Sequence, residues 1–255
     1  MTYVKFCKPM LSSRHCDDSG GKMREGEMMD LSRWLDCLPQ FSMLTAQERE
    51  LLMRATTKSL VDKGGILFQQ GDDCAGLYLL LSGQMKLAFA SPQGQEKVLQ
   101  IVRSGEIFCA AILFAEQPYA FFAQAIRNSL LLHLNKQAIH EVMASNMAFM
   151  QQIMLSMAHG YHQLIVDSES VRLHSAAERI VRYLLREMEA ANDTTSGVVN
   201  LDIAKGLIAS QLNLTQEHFS RILNELHRFG LIVLTGRRIE IPAVDALQAY
   251  VPSAA

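Results

Sequence analysis

The sequence predicts an α+β chain: a domain of short strands closed into a sandwich or barrel, one long helix, and a C-terminal helix-turn-helix followed by a two-stranded wing. Three observations predict it. β-Prone runs punctuated by glycines fill residues 61–134. An apolar stripe with alternating spacings of three and four then runs from Met147 to Val171. Near the C-terminus, two helical stretches are separated by three residues.

Residues 1–29 lack periodicity and read as a disordered extension. Met28-Met29 stands where ordered sequence begins and is a candidate translation start. Residues 31–58 read as short helices, with Thr45 as an N-cap and Glu48 completing a capping box. Leu51, Leu52 and Ala55 follow as its apolar face.

The strands are expected at Ile66–Gln69, Leu77–Leu81, Met85–Ala90, Val98–Val102, Phe121–Ile126 and Leu130–Leu134. Gly83 and Pro92-Gln93-Gly94 read as hairpin turns between them.

The stripe comprises Met147, Met150, Met154, Met157, Tyr161, Leu164, Ser168 and Val171. Some 25 residues of helix are roughly 37 Å long at about 1.5 Å per residue. That exceeds the width of a small barrel, so the stripe is read as a seam with a second copy. Met150, Met154, Met157, Tyr161 and Leu164 are its expected contacts, and methionine suits a seam that changes register. Residues 175–191 form a further amphipathic helix through Ile180, Val181, Leu184, Leu185 and Met188. Asn192–Gly197 is a loop.

Leu201–Leu212 and Gln216–Phe229 are the paired helices. Asn213 falls where the turn needs positive φ, which Asn tolerates best after Gly. Thr215 caps the second helix and Gly230 closes it. Ala209, Leu214, Phe219, Ile222, Leu223 and Leu226 are placed to hold the helices together. Gln216, Glu217, Ser220 and Arg221 then point outward from the turns that enter a major groove in such a unit. Arg221 suits guanine O6/N7, Glu217 suits cytosine N4, and Gln216 and Ser220 adapt. Leu231–Leu234 and Ile239–Ile241 form the wing, with Arg237 at its basic tip.

Charge and composition set outer limits. The 24 Lys and Arg stand against 26 Asp and Glu, which excludes a basic coat protein for nucleic acid. The longest apolar run, Ile107–Ala115, is far short of the roughly 20 residues of a membrane span. Five scattered cysteines and no secretory signal point to the reducing cytoplasm.

Phe68-x-x-Gly71-Asp72, Leu79–Gly83, Ser104-Gly105-Glu106 and Glu217-x-Phe219-Ser220-Arg221 resemble motifs of the Crp/Fnr family of bacterial transcription regulators over about residues 38–245. The resemblance implies a double-stranded, cyclic-nucleotide-binding-like β-roll sensor over 30–145, a dimerisation helix over 146–172 and a winged helix-turn-helix over 173–255. It implies a homodimeric DNA-binding activator in contact with RNA polymerase through the Ser91–Lys97 turn. Glu217, Ser220 and Arg221 match the Fnr and Dnr recognition helices, which implies TTGAT-like palindromic half-sites in double-stranded DNA.

The effector is narrowed by departures from the family's patterns. The cyclic-AMP branch binds ribose and phosphate through a Gly-Glu and an Arg-Ser pair. Cys109-Ala110 and Tyr119-Ala120 stand there instead, so no cation meets a buried phosphate, which argues against cyclic AMP. The Fnr branch holds a [4Fe–4S] cluster on cysteines. Cys7, Cys16 and Cys37 do not match its spacing, and Leu132 stands at the fourth ligand's position, so a cluster would draw on Cys109. Wider similarity at Ser91–Lys97, Arg179–Leu185 and Glu217–Arg221 resembles the Dnr/Nnr branch, which implies nitric oxide sensing through haem. An apolar slot of Phe108, Cys109, Ile112, Leu113, Phe114, Phe121, Phe122 and the methionine stripe is expected to hold it. His133, His140, His159, His162 and Cys109 are the candidate iron ligands.

The alternative from another class is a cupin-like metal oxygenase, which needs several histidines converging from strands. Only His133 falls on an expected strand.

Overall fold

The computed structural model describes residues 41–91, 93–190 and 197–250. The extension over 1–29, the Met28-Met29 start, Cys7, Cys16, Cys37 and most of the Asn192–Gly197 loop lie outside the described residues. The chain divides into two compact units, and the division falls inside one helix between Tyr161 and His162.

The first unit begins with α1 (Ala46–Arg54). Its capping box forms as expected: the Glu48 amide donates to the Thr45 hydroxyl, and the Thr45 amide donates to the Glu48 carboxylate at 2.9 Å. The helix stops at Ala55, and β1 (Thr56–Val61) follows at once. The expectation of helix through residue 58 is therefore corrected. The β-branched pair Thr56-Thr57 opens a strand, and the whole of β1 pairs with the far end of the domain, Thr56 opposite Leu134.

The strands β2 (Ile66–Phe68), β3 (Gly76–Ala90), β4 (Glu96–Arg103), β5 (Ile107–Phe108) and β6 (Phe122–Asn135) complete one antiparallel sheet. Its path is β1-β6-β3-β4, with β2 added on β6 and β5 on β3. Leu77–Leu81 and Met85–Ala90 prove to be one 15-residue strand, and Phe121–Ile126 and Leu130–Leu134 merge into β6, which starts at Phe122. Gly83 is thus no hairpin turn. It sits at φ +94° in a run of register shifts opposite Ser129. The Gln84 amide donates to the Ser129 hydroxyl at 3.2 Å, so the ladder bends there and continues. A Cβ on Gly83 would collide with Ser129 and Asn128. The turn at Ser91–Gly94 does form, closed by the Gly94 amide donating to the Ser91 carbonyl at 2.9 Å.

One strand serves two cores. Before the bend its faces alternate, with Leu77, Leu79 and Leu81 on a core shared with helices and Leu80 on the interior of the roll; after it, Met85 and Leu87 face that interior. The first core is covered by α1, α2 (Ala110–Ala115), α3 (Lys136–Ser145) and the start of α4 (Met147–Leu173), which buries Phe149 and Ile153 there. Asn146 starts α4, accepting from the Phe149 amide at 2.9 Å and donating to the Glu48 carboxylate at 2.8 Å.

In the second unit, α5 (Ala176–Ala190) opens on a further capping box between Ser175 and Glu178. It buries Ile180, Val181, Leu184 and Met188. Strands β7 (Gly197–Asn200), β8 (Val233–Thr235) and β9 (Arg238–Ile241) make a sheet of order β7-β9-β8. The wing is therefore three-stranded. The third strand is set by pairing with residues 38 to 44 positions away, Gly197 opposite Ile241. Between β7 and β8 lie α6 (Lys205–Gln211) and α7 (Gln216–Arg228), and α8 (Val244–Gln248) follows β9.

Candidate nucleic-acid interface

The helix α6 begins at Lys205, later than the expected Leu201, because the Leu201 amide is engaged by the Arg237 carbonyl of the wing at 2.8 Å. It ends at Leu212, and Asn213 takes the left-handed conformation at φ +60°. The reversal is closed by the Leu214 amide donating to the Ala209 carbonyl at 2.8 Å. Thr215 then caps α7, its hydroxyl accepting from the His218 amide at 3.2 Å. Each step uses a residue suited by local chemistry: Asn for positive φ, Thr for an orphan amide.

The apolar period of α7 decides what points outward. Phe219, Ile222, Leu223 and Leu226 are buried with Ile208 and Ala209. Gln216, Glu217 and Arg221 are left exposed on the N-terminal turns, with Thr215 exposed and Ser220 half-buried. Among the described residues, no hydrogen bond or ion pair engages the Glu217 or Arg221 side chains. The helix stops at Phe229, where Gly230 at φ +71° lets the Leu231 amide return to the Leu226 carbonyl at 3.0 Å.

One positioning feature escaped the sequence reading. A Cβ on Gly206 would lie 2.7 Å from the Gln216 Oε1, so the side chain of Gln216 folds across the first helix of the pair. The signal was a glycine inside a helix, which marks a close approach. At the wing tip Gly236 turns at φ +63° and Arg237 is exposed. Arg238 is paired with Glu240 at 2.9 Å.

The residues expected to sense a ligand are not brought together. Cys109 is buried at the start of α2 at φ +71°. Burial pushes its thiol well above the ordinary range, although the Tyr119 side chain hydrogen-bonds it. Tyr119 is shared with Cys74 and stacks on Phe68 at 3.7 Å. Burial likewise pushes the phenols of Tyr119 and Tyr78 up. His133, in β6, packs on Tyr78 at 4.9 Å, and its Nε2 is buried without a partner against the backbone of Gly76. Burial pushes its pKa down. His140 is exposed, edge-on to Phe114. His159 and His162 are exposed on α4.

The single apolar slot is corrected accordingly. Phe108, Cys109, Ile112 and Phe121 pack in the roll interior, whereas Leu113, Phe114 and Met157 pack on the helix-covered core. Phe122 lies under Lys86. The six-residue α2 within the apolar run divides these side chains between its two faces. A haem ligand needs open approach to His, Cys or Met. Cys109 and His133 do not offer it; His140, His159 and His162 do. Among the described residues, no group of three or more His, Cys, Asp or Glu could hold a metal ion.

Along α4 the expected seam is largely open. Met154 is 59% exposed, Tyr161 67% and Leu164 52%, while Met150 and Met157 are half-buried. Among the described residues, no helix is long and apolar enough to cross a membrane.

Residues 59–146 match the cyclic nucleotide-binding domain, and residues 178–250 match the Crp-like helix-turn-helix domain. The chain is 27% identical over 219 residues to regulatory protein HlyX of Actinobacillus pleuropneumoniae, covering 83% of this chain and 88% of that protein. It is 27% identical over 196 residues to the fumarate and nitrate reduction regulatory protein of Escherichia coli, covering 74% and 76%. The structure of FixK2 from Bradyrhizobium japonicum superposes with a TM-score of 0.68 at 18% identity, covering 78% of this chain and 99% of that one. Cyclic nucleotide-binding-like domain, long helix and winged helix-turn-helix stand in one order in sequence and structure, and the chain belongs to the Crp/Fnr family of DNA-binding transcription regulators.

Proposed function

We propose that two copies of this chain pair along α4 and bind a palindromic, TTGAT-like operator in the cytoplasm as a transcription activator. The observation that carries this reading is the outward face of α7. Glu217 and Arg221, one turn apart, have no other partner among the described residues and sit behind a left-handed turn and a capped helix start. A bidentate Arg–guanine contact is worth about 1–3 kcal/mol of discrimination. Arg237 at the wing tip supplies a phosphate contact, which positions without reading sequence. Pairing supplies the second reader, about 34 Å away along the duplex. The open row Met154, Tyr161 and Leu164 supports pairing, because large apolar groups repeated along one helix gain by leaving water. The Ser91–Lys97 turn is the proposed contact for RNA polymerase.

For the signal, we propose nitric oxide bound through haem, in the manner of the Dnr/Nnr branch. His159 or His162 would hold the iron, since both lie open on α4. The haem supplies a site for a diatomic gas. The residues of α4 then shift the population of pairing registers, for which the flexible Met150, Met154 and Met157 are suited. The stack of Phe68 on Tyr119, with Cys109 and Ala110 where the family's cyclic-AMP contacts stand, argues against a cyclic nucleotide.

A second reading is favoured by the relatives' names, which include anaerobic regulatory proteins. It is an oxygen-responsive [4Fe–4S] regulator using Cys7, Cys16, Cys37 and Cys109. Anaerobic purification with iron, sulfide and visible spectra separates the two. A Soret band on haem titration, lost in the double variant His159→Ala, His162→Ala, supports haem; stoichiometric sulfide supports the cluster.

The operator reading is tested with Arg221→Ala. Affinity for a TTGAT palindrome, measured by anisotropy at fixed salt, should fall about 10- to 100-fold with the circular dichroism unchanged. Unaltered affinity would remove α7 as the reader.

A further inference from the structure

Where α4 gives way to α5, within the C-terminal unit, the chain forms a half-open cavity of about 220 Å³ that operator reading does not use. No residue of α7 or of the wing lines it. Its wall carries three guanidiniums, Arg179, Arg182 and Arg186, against one carboxylate, Asp167. The spacing of the arginines along α5 puts them on one helical face, opposite the buried Ile180, Leu184 and Met188. Like charges three and four residues apart repel, so the face is unfavourable unless an anion joins it.

Asp167 answers only part of that charge. It lies 3.6 Å from Arg186 and accepts from the Gln163 amide group at 2.9 Å. Glu178, near Arg182, is committed to the Ser175 backbone at 2.7 Å. Arg179 is left with its Nε shielded from solvent and without a partner among the described residues. A buried guanidinium donor without an acceptor is costly, and its planar fork matches the oxygens of phosphate and carboxylate.

We propose that this cavity is a binding site for a small phosphate-class oxyanion, held by Arg179 and Arg182 with Arg186 shared between the ligand and Asp167. Its volume suits a small anion and is below the range of drug-sized pockets, about 300–1,000 Å³. Its walls come from the end of α4, from α5 and from Gln211 at the end of α6, so an occupant ties the long helix to the first helix of the reader pair.

The test uses the full-length chain without DNA, which separates it from the operator reading. Inorganic phosphate is titrated calorimetrically against chloride at matched ionic strength. One saturable site per chain is expected, with sulfate competing. Arg182→Ala, at an exposed position, should weaken phosphate binding about tenfold with the fold intact. Arg186→Lys should also weaken it, because the charge stays and the fork goes. Phosphate binding no better than chloride, or unaffected by Arg182→Ala, overturns the proposal. So does a third outcome: no binding without DNA, but a salt slope of operator binding that drops by about one in Arg182→Ala, which would assign the arginines to the DNA backbone.

Discussion

The two units keep their polar chemistry in opposite places. The C-terminal unit turns it outward: Gln216, Glu217, Arg221 and Arg237 are exposed around an apolar core of Phe219, Leu223 and Leu226. The N-terminal unit turns it inward: Cys109, Tyr119 and Tyr78 meet one another and Phe68 inside the roll, and His133 packs on Tyr78. An outward set is held by one helix and its caps, whereas an inward set depends on several strands arriving together. The first answers to its own short segment; the second answers to the whole domain.

The largest effect that sharpens this contrast is loss of a core ring. Phe219→Ala should cost about 3–5 kcal/mol, since the ring is fully buried. Hydrogen exchange should show protection falling in α6 and α7 and staying in β3 and β6, with operator binding lost. Phe149→Ala, equally buried in the other unit, should give the reverse pattern. Protection falling equally in both units after either change would break the contrast.

Next in size is the strand bend. Gly83→Ala meets a positive φ as well as Ser129 and Asn128, so a loss of about 3 kcal/mol is expected from denaturant midpoints. The matching position in the reader is gentler. Asn213→Ala should cost about 1 kcal/mol, because the surface turn at φ +60° lies in the left-handed region that Asn adopts more readily than Ala. Thr215→Ala should lose about 1 kcal/mol with its cap.

The smallest effect is a pH slope. Burial holds the His133 pKa below its ordinary 6.5. As the pH falls, the unfolded chain takes up this proton before the folded one. Stability that is whole above pH 6.5 therefore declines as the pH drops below it. His133→Phe keeps a ring on Tyr78 and removes the titrating group. Urea midpoints at pH 7.5 and 5.5 should differ less in this variant than in the parent chain; an equal difference would place the slope elsewhere.

Much of the reader was legible in the amino acids, because its determinants are neighbours in the chain. Asn213, Thr215 and Gly230 each act within five residues, and the α7 period separates Phe219 from Glu217 without outside help. The third wing strand was not legible, since Gly197 pairs with Ile241 across two intervening helices. In the N-terminal unit, the glycine at 83 was visible but its meaning was not. A φ of +94° serves a hairpin and a bulge alike, and only Ser129 on β6 decides between them.

What the residues determined unaided is the grammar: capped helix starts at Thr45 and Thr215, the left-handed residue between the paired helices, and the long helix that follows Asn146. These rest on hydrogen bonds and periodicities spanning a few residues. Only the tertiary structure decided that two long strands each serve two cores, that the apolar run after Ile107 divides between those cores, and that Arg179, Arg182 and Arg186 share a cavity with Asp167. Each of these requires groups distant in sequence to compete for the same space, and that competition is resolved only when the chain packs.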